Sequence, residues 1–451
     1  MSEYTKPNLG SLDRIRSGIL DSYSYSPTVA SDIDLLYKRG VWLYFWLLIF
    51  EGALRKWILP GLAEPLLVVR DPLAIWLIYK CFTNNIWRPN NYVVVMWGLT
   101  ILSLAITMIM GHGNLVVAIY GFRIMAIHFP LIFVIGKIFN KNDVIELGRI
   151  MLWTTIAMTI LVGIQFYSPQ SAWVNIGVGG DTQGSGFSGA AGFYRVPGTF
   201  SFTNGLSLFY GFSAAYIFYF WASLGVVKVN KLILIISSVA LLAAIPLSIS
   251  RGVLMEIILS AIFMFAIVGK DPRTIKSIIA VVIASVGLFF ALGNFSFFET
   301  ASSAFVERFN VASSVEGGLE GTLLDRFLGG LYMAVTDANA SFTGLGLGMG
   351  TNAGAKMMLG RREFLIAEGE WGRLIGEMGF ILGVIAILIR GSLVIQMLKK
   401  SWSAIKLENK LPWMLMSFGA VNILQGQWAQ PTALGFSALI GGLVIASLNE
   451  D

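Results

Sequence analysis

A succession of apolar runs, each near the length of a bilayer crossing, limits what this chain can fold into more than any other feature. Twelve can be drawn between polar connectors: 41–59, 63–80, 92–110, 115–136, 144–166, 200–222, 231–249, 252–269, 277–293, 374–396, 411–427 and 431–448. A helix needs about 20 apolar residues to cross the hydrocarbon core. The spacing therefore predicts an all-α polytopic membrane protein of about twelve transmembrane helices. Composition agrees: 13% of the 451 residues are charged and 56% are hydrophobic, with mean hydropathy +0.72. A soluble protein carries about 25% charge.

The connectors orient the spans. With residues 1–40 as a cytoplasmic segment, the inner connectors hold 13 basic residues, among them Lys137, Lys141, Lys228, Lys270 and Lys399, against Asp143, Asp271 and Glu408. The short outer connectors at 111–114 and 428–430 hold no Lys or Arg. This is the positive-inside pattern, and it predicts that both termini are cytoplasmic. Leu12, Ile15, Ile19 and Leu20 allow a short surface helix in the N-terminal segment, with a disordered tail as the alternative. No signal peptide is expected there, because the segment lacks an apolar core. Helices 1–9 then occupy 41–293 and helices 10–12 occupy 374–451.

Two regions are expected outside. Residues 167–198 are rich in glycine. Residues 294–373 form a large loop with 15 charged residues and 13 glycines. Within it Leu323, Leu324, Phe327, Leu328, Leu331, Tyr332 and Val335 make one helical stripe, too short to span.

The net charge of +6 is scattered over connectors. That fits anchoring to an anionic membrane surface and not nucleic-acid binding. A single cysteine, Cys81, excludes an intrachain disulfide and a cysteine zinc site. His112 and His128 leave little for a histidine metal cluster, so neither metal nor cofactor is expected. Gly344-Leu-Gly-Leu-Gly-Met-Gly350 follows no strand of a βαβ unit and is not read as a nucleotide loop.

Charges within or near the spans carry the functional reading, because an arginine at a helix centre costs about 2.5–3.5 kcal/mol on insertion scales. Glu51 and Arg55 have the spacing of a local helical ion pair. Arg70-Asp71-Pro72 reads either as capping of a proline break or as part of a site. Arg123 lies inside the fourth span, Arg195 precedes the sixth, Arg251 sits in a Ser-Arg-Gly turn joining the seventh to the eighth, and Arg326 opens the amphipathic stripe of the large loop. Asp325 apart, nothing local neutralises Arg195, Arg251 or Arg326. Guanidinium groups clustered near the outer membrane boundary suit a lipid diphosphate. Glu368 and Glu370 precede the re-entry into the membrane and are read either as solvated loop residues or as a general base.

Several of these segments resemble the O-antigen ligase and Wzy-type polysaccharide polymerase superfamily over about residues 115–390. They are Arg195-Val-Pro-Gly-Thr-Phe-Ser-Phe-Thr-Asn204, Ser250-Arg-Gly252, Arg326 followed by Gly344-Leu-Gly-Leu-Gly348, and Leu374-Ile-Gly-Glu-Met-Gly-Phe-Ile-Leu-Gly383. Glu51-Gly-Ala-Leu-Arg-Lys-Trp57 and Val69-Arg-Asp-Pro72 resemble the opening of an exopolysaccharide-associated branch. The resemblance implies a GT-C-like, metal-independent glycosyltransferase of the bacterial inner membrane, acting on its periplasmic face. It further implies an undecaprenyl-diphosphate-linked oligosaccharide as donor, with other polysaccharide export proteins as partners. Arg195, Arg251 and Arg326 would hold the diphosphate, supported by Arg123. The family pattern has a histidine nine residues before Glu377, where this chain has Glu368; Glu368, or Glu370, would take the acceptor's proton. A polymerase of lipid-linked repeat units is the leading expectation. The rivals are a ligase to a final acceptor, a transporter of an anionic solute, and a catalytically inert scaffold in an export complex.

Overall fold

The computed structural model describes residues 27–268, 296–315, 342–360, 365–367 and 369–449. Among these residues six helices are long and apolar enough to cross a membrane: Asn91–Ile109, Leu115–Ile138, Lys141–Tyr167, Lys231–Ser248, Phe380–Leu407 and Pro431–Leu448. The protein is a helical membrane protein. In chain order its helices are α1 (Pro27–Ala53), α2 (Asp71–Thr83), α3 (Asn91–Ile109), α4 (Leu115–Arg123), α5 (Phe129–Ile138) and α6 (Lys141–Tyr167). A small hairpin, β1 (Phe187–Ala190) and β2 (Phe193–Arg195), leads to α7 (Thr203–Ala222), α8 (Lys231–Ser248), α9 (Arg251–Val268) and α10 (Ser296–Val315). The remainder is α11 (Asn352–Leu359), α12 (Glu370–Met378), α13 (Phe380–Ala404), α14 (Leu411–Gln425) and α15 (Pro431–Leu448).

Asparagines start four of the spans where the polar connectors end. The side chains of Asn90, Asn114 and Asn230 accept from backbone N–H groups in the first turns of α3, α4 and α8. Asn140 forms a capping box with Asp143 on α6. Each cap replaces hydrogen bonds that a first turn lacks and is worth about 1 kcal/mol. The spans then pack through small residues and aromatic rings. α15 lies against α5 and α14, α7 against α9 and α14, and α6 against α8. Gly441 and Gly442 of α15 admit Ile132 and Ile135 of α5, and a Cβ at either glycine would press on those side chains. Phe209, Tyr210, Phe212, Tyr216 and Phe220 bury most of α7 at the centre.

Two expected spans are built differently from the apolar pattern. Residues 63–80 are not one helix: Pro60–Leu62 and Pro65–Val68 make 3₁₀ turns, and α2 begins only at Asp71. Its 13 residues rise about 20 Å, short of a hydrocarbon core of about 30 Å. Pro60 and Pro65 lack an N–H and cannot continue a helix, while hydropathy alone runs on through them. The run expected at 374–396 is two helices, α12 and α13, parted at Gly379 (φ +80°). α1 passes into a π-turn at Leu54–Ile58, and a second π-turn, Ile124–His128, joins α4 to α5. The start of the 294–373 insertion is helical, since α10 packs on α8 and β1. The span expected at 277–293 and the stripe at 323–335 lie outside the described residues.

Candidate anion-binding site at the hairpin

The segment from Arg195 to Asn204 leaves the hairpin and enters α7, and it is clamped along its length. Gln165, near the end of α6, holds both polar groups of Gly198: its Oε1 accepts from the Gly198 N–H (2.9 Å) and its Nε2 donates to the carbonyl (3.2 Å). Lys56 Nζ donates to the same carbonyl at 2.6 Å. Thr199 Oγ1 donates to Ile49 O (2.7 Å), and Arg55 Nη1 donates to Ser201 Oγ (2.9 Å). Gly52 lies against this segment so closely that a Cβ would collide with the backbone of Thr199–Ser201. The Glu51–Trp57 stretch thus acts as an anvil for the Arg195 loop.

Arg251 reaches the same region from another direction. α8 ends at Ile249, a buried β-branched residue in the left-handed region (φ +47°, ψ +37°). Such a conformation stores about 1–3 kcal/mol and persists where the surroundings over-determine it. It turns the chain so that Ser250 Oγ bonds Ser207 Oγ at 2.8 Å and Arg251 begins α9. Arg308 comes from α10. Burial first, and then the charges of Arg308 and Arg251, push the Arg195 guanidinium below its ordinary value. It stays charged at neutral pH. Arg195 Nε is buried without an acceptor, and its Cζ sits 6.0 Å over the Phe187 ring. The charges of Arg251 from α9 and Arg308 from α10 thus both act on Arg195 of β2.

The other residues expected at the site fall elsewhere. Arg326 and Glu368 lie outside the described residues. Arg123 is within the helical core, where its Nη1 donates to both oxygens of Asp71 (3.0 and 2.9 Å). Glu370 differs most from expectation. Oε1 accepts from Arg373 Nη2 (2.8 Å) and Arg390 Nη1 (2.6 Å); Oε2 accepts from Arg373 Nε (2.9 Å) and the Trp428 N–H (3.0 Å). With both oxygens doubly engaged and the residue buried, Glu370 has no room to take a proton from a hydroxyl. It holds α12 to α13 and to the α14–α15 turn.

The glycine run is a knot and not a cradle. Gly344, Gly346 and Gly348 have φ of +78°, +108° and +90°, which favour glycine. The N–H groups of Leu345 and Gly346 bond Gly376 O and Glu377 O, that of Leu347 bonds Thr107 Oγ1, and that of Gly350 bonds Glu377 Oε1. No row of donors is left to face a phosphate. A Cβ on Gly348 would collide with Val117 O, so Gly348→Ala is expected to lower the melting temperature of the purified protein. An unchanged melt would show that the knot yields without strain.

Sequence reasoning missed Arg308, Lys56 and Gln165. Arg308 was hidden by reading 294–373 as one loop, although Ser296–Val315 contains no Gly or Pro to break a helix. Lys56 was visible as a charge at the end of an apolar run. Gln165 left no local signal. No protein family, curated protein or solved structure was found to match the chain.

Proposed function

We propose that this protein is a glycosyltransferase of the bacterial inner membrane, in which Arg195, Arg251 and Arg308 bind the diphosphate of a polyprenyl-linked oligosaccharide at the periplasmic face. The observation that carries the reading is the buried, unmet Nε of Arg195, on which the charges of Arg251 and Arg308 from two other elements also act. An unmet guanidinium N–H beside further positive charge favours an anion, and paired guanidinium N–H groups match phosphate oxygens. The resemblance of the Arg195–Asn204 and Ser250–Gly252 segments supplies the donor class and the GT-C-like arrangement, while the apolar runs and the basic inner connectors supply twelve spans with both termini cytoplasmic. Arg326 joins the diphosphate site on the same ground. In this reaction the acceptor hydroxyl attacks the anomeric carbon, the bond from that carbon to the diphosphate breaks, and Glu368 takes the hydroxyl proton. The arginines stabilise the charge that gathers on the leaving diphosphate. The exopolysaccharide-like opening at 51–57 and 69–72 favours repeat-unit polymerisation over ligation to a final acceptor.

The test is transfer by purified protein in proteoliposomes given an undecaprenyl-diphosphate oligosaccharide. A ladder of lipid-linked polymer is expected from wild type and none from Glu368→Gln. Transfer to a different acceptor without a ladder would identify the ligase. Full activity in Glu368→Gln would remove Glu368 from the mechanism. Transport of an anionic solute draws on one specific observation, the interrupted helix at Arg70-Asp71-Pro72. Solute uptake by the same vesicles with no glycan product would favour it.

A further inference from the structure

Two π-turns and one late-starting helix meet at a second group of charges, buried among α1, α2, α4 and α15. π-turns are rare and collect at functional sites. Irregular backbone at membrane depth is tolerated where protein buries it or where it lines a cavity. The π-turn Leu54–Ile58 carries Arg55, α2 starts at Asp71 directly after Arg70, and the π-turn Ile124–His128 lies between Arg123 and α5. Arg55, Arg70, Arg123, Glu51 and Asp71 are all buried.

Among the described residues, Glu51 and Asp71 are the carboxylates that meet Arg70 and Arg123. Arg70 Nη2 lies 3.3 Å from Glu51 Oε2, Arg55 Nη1 lies 3.4 Å from Glu51 Oε1, and Arg123 Nη1 holds Asp71. Asp71 Oδ1 also meets His128 Nε2 at 2.9 Å, and His128 Nδ1 meets the Tyr44 hydroxyl at 3.2 Å. Both Arg70 and Arg123 act electrostatically on Glu51 and on Asp71, so the group is a single cluster. Lys56 points away from it, to Gly198 O.

Four nitrogens of this cluster are buried and meet no acceptor among the described residues: Arg70 Nε and Nη1, and Arg123 Nε and Nη2. Ring faces lie near both groups, with Arg123 Cζ 4.2 Å over Tyr120 and Arg70 Cζ 5.5 Å from the Tyr44 ring centre. A ring face offsets part of a cation's charge but accepts none of its in-plane N–H bonds.

We propose that Arg70 and Arg123 form a second phosphate-group site, inside the helical core and separate from Arg195, Arg251 and Arg308. A phosphate supplies several acceptor oxygens for the four unmet nitrogens, and guanidinium groups match its geometry. The N-terminus of α2 beside them adds its own positive end. The occupant is a free phosphate or diphosphate, or the phosphate of a lipid headgroup. The site stands independently of glycosyl transfer. Under that reading it anchors the second lipid-linked unit that polymerisation requires.

The experiment uses the full chain in phosphatidylcholine nanodiscs at constant ionic strength, with gluconate as the balancing anion. Inorganic phosphate, pyrophosphate and undecaprenyl phosphate are titrated separately, reading binding heat and melting temperature. In a protein carrying Arg195→Ala and Arg308→Ala together, which removes the first anion site, saturable binding is expected to remain, and adding Arg70→Met or Arg123→Met should weaken it at least about tenfold, each losing a charge-assisted contact. Should those two fail to fold, Gly435→Ala decides. It keeps every charge but sets a Cβ against Arg70 Nη1, and it should weaken binding likewise. Binding by the lipid alone identifies a headgroup as the source, and binding by the inorganic ions identifies a free anion. The proposal is overturned by three results: no saturable binding to wild type by any probe, binding lost when Arg195→Ala and Arg308→Ala are combined, or binding in that combined variant untouched by Gly435→Ala.

Discussion

Replacing Arg308 with alanine is expected to lower turnover of a lipid-diphosphate glycan by about 10²–10³-fold, the usual effect of removing one donor aimed at developing charge. The loss should fall on kcat more than on KM. The arginine's main contribution comes as the leaving diphosphate gathers charge, not when the intact donor first binds. The same substitution should raise the melting temperature. The charges of Arg308 and Arg251 act on Arg195, so removing Arg308 relieves a repulsion on it. Arg195→Ala should behave in the same way. A stabilising mutation that loses activity is the pattern of a strained functional site. An arginine kept only for the fold gives the opposite sign, with a lower melt and unaltered chemistry. Initial rates in proteoliposomes over a range of donor concentration, together with tryptophan-fluorescence melts, separate the two. Wild-type turnover in Arg308→Ala, or a lowered melt with turnover intact, would remove it from the site.

Hydropathy located the spans at 92–110, 115–136, 144–166, 231–249 and 431–448 to within a few residues, because each is a long apolar run bounded by a capping asparagine, a proline or a glycine. It failed at 63–80 and 374–396, where apolar content continues across a break. A proline or a glycine at positive φ redirects the backbone without altering hydrophobicity, so the half-helix at Asp71 and the joint at Gly379 were invisible to a window average. The candidate site divides along the same line. Arg195 and Arg251 stood out as charges where a span begins, since placing them there is expensive. Their company did not: Arg308 reaches them only because α10 folds back over α8 and the hairpin, a long-range contact that no local spacing records. Glu370 shows the reverse error. Just before a re-entry into the membrane, an acidic residue reads as a base, and only the arrival of Arg390 from α13, twenty residues on, reveals it as half of a buried pair.

That pair supplies the second large effect. Glu370→Gln is expected to destabilise the protein by about 3–5 kcal/mol, the usual loss when one member of a buried ion pair is removed. Arg390 is fully buried, with its Nε on Ile423 O (2.8 Å), its Cζ 4.0 Å over the Trp428 ring, and Glu370 as its one carboxylate among the described residues. Arg373 is better insured, because Glu377 Oε2 lies 2.6 Å from its Nη1. Neutralising Glu370 therefore strands Arg390 in a medium that will not solvate it, against a total folding stability of about 5–15 kcal/mol. Arg390→Met should be damaging too, since it leaves Glu370 with one cation fewer. The double variant, with the charge removed from both partners, should be less unstable than the sum of the two single variants. Melting curves and membrane abundance of the four proteins complete that cycle. If Glu370 were the base, Glu370→Gln would keep its melt and lose only turnover; a wild-type melting temperature in that variant would overturn the structural role assigned here.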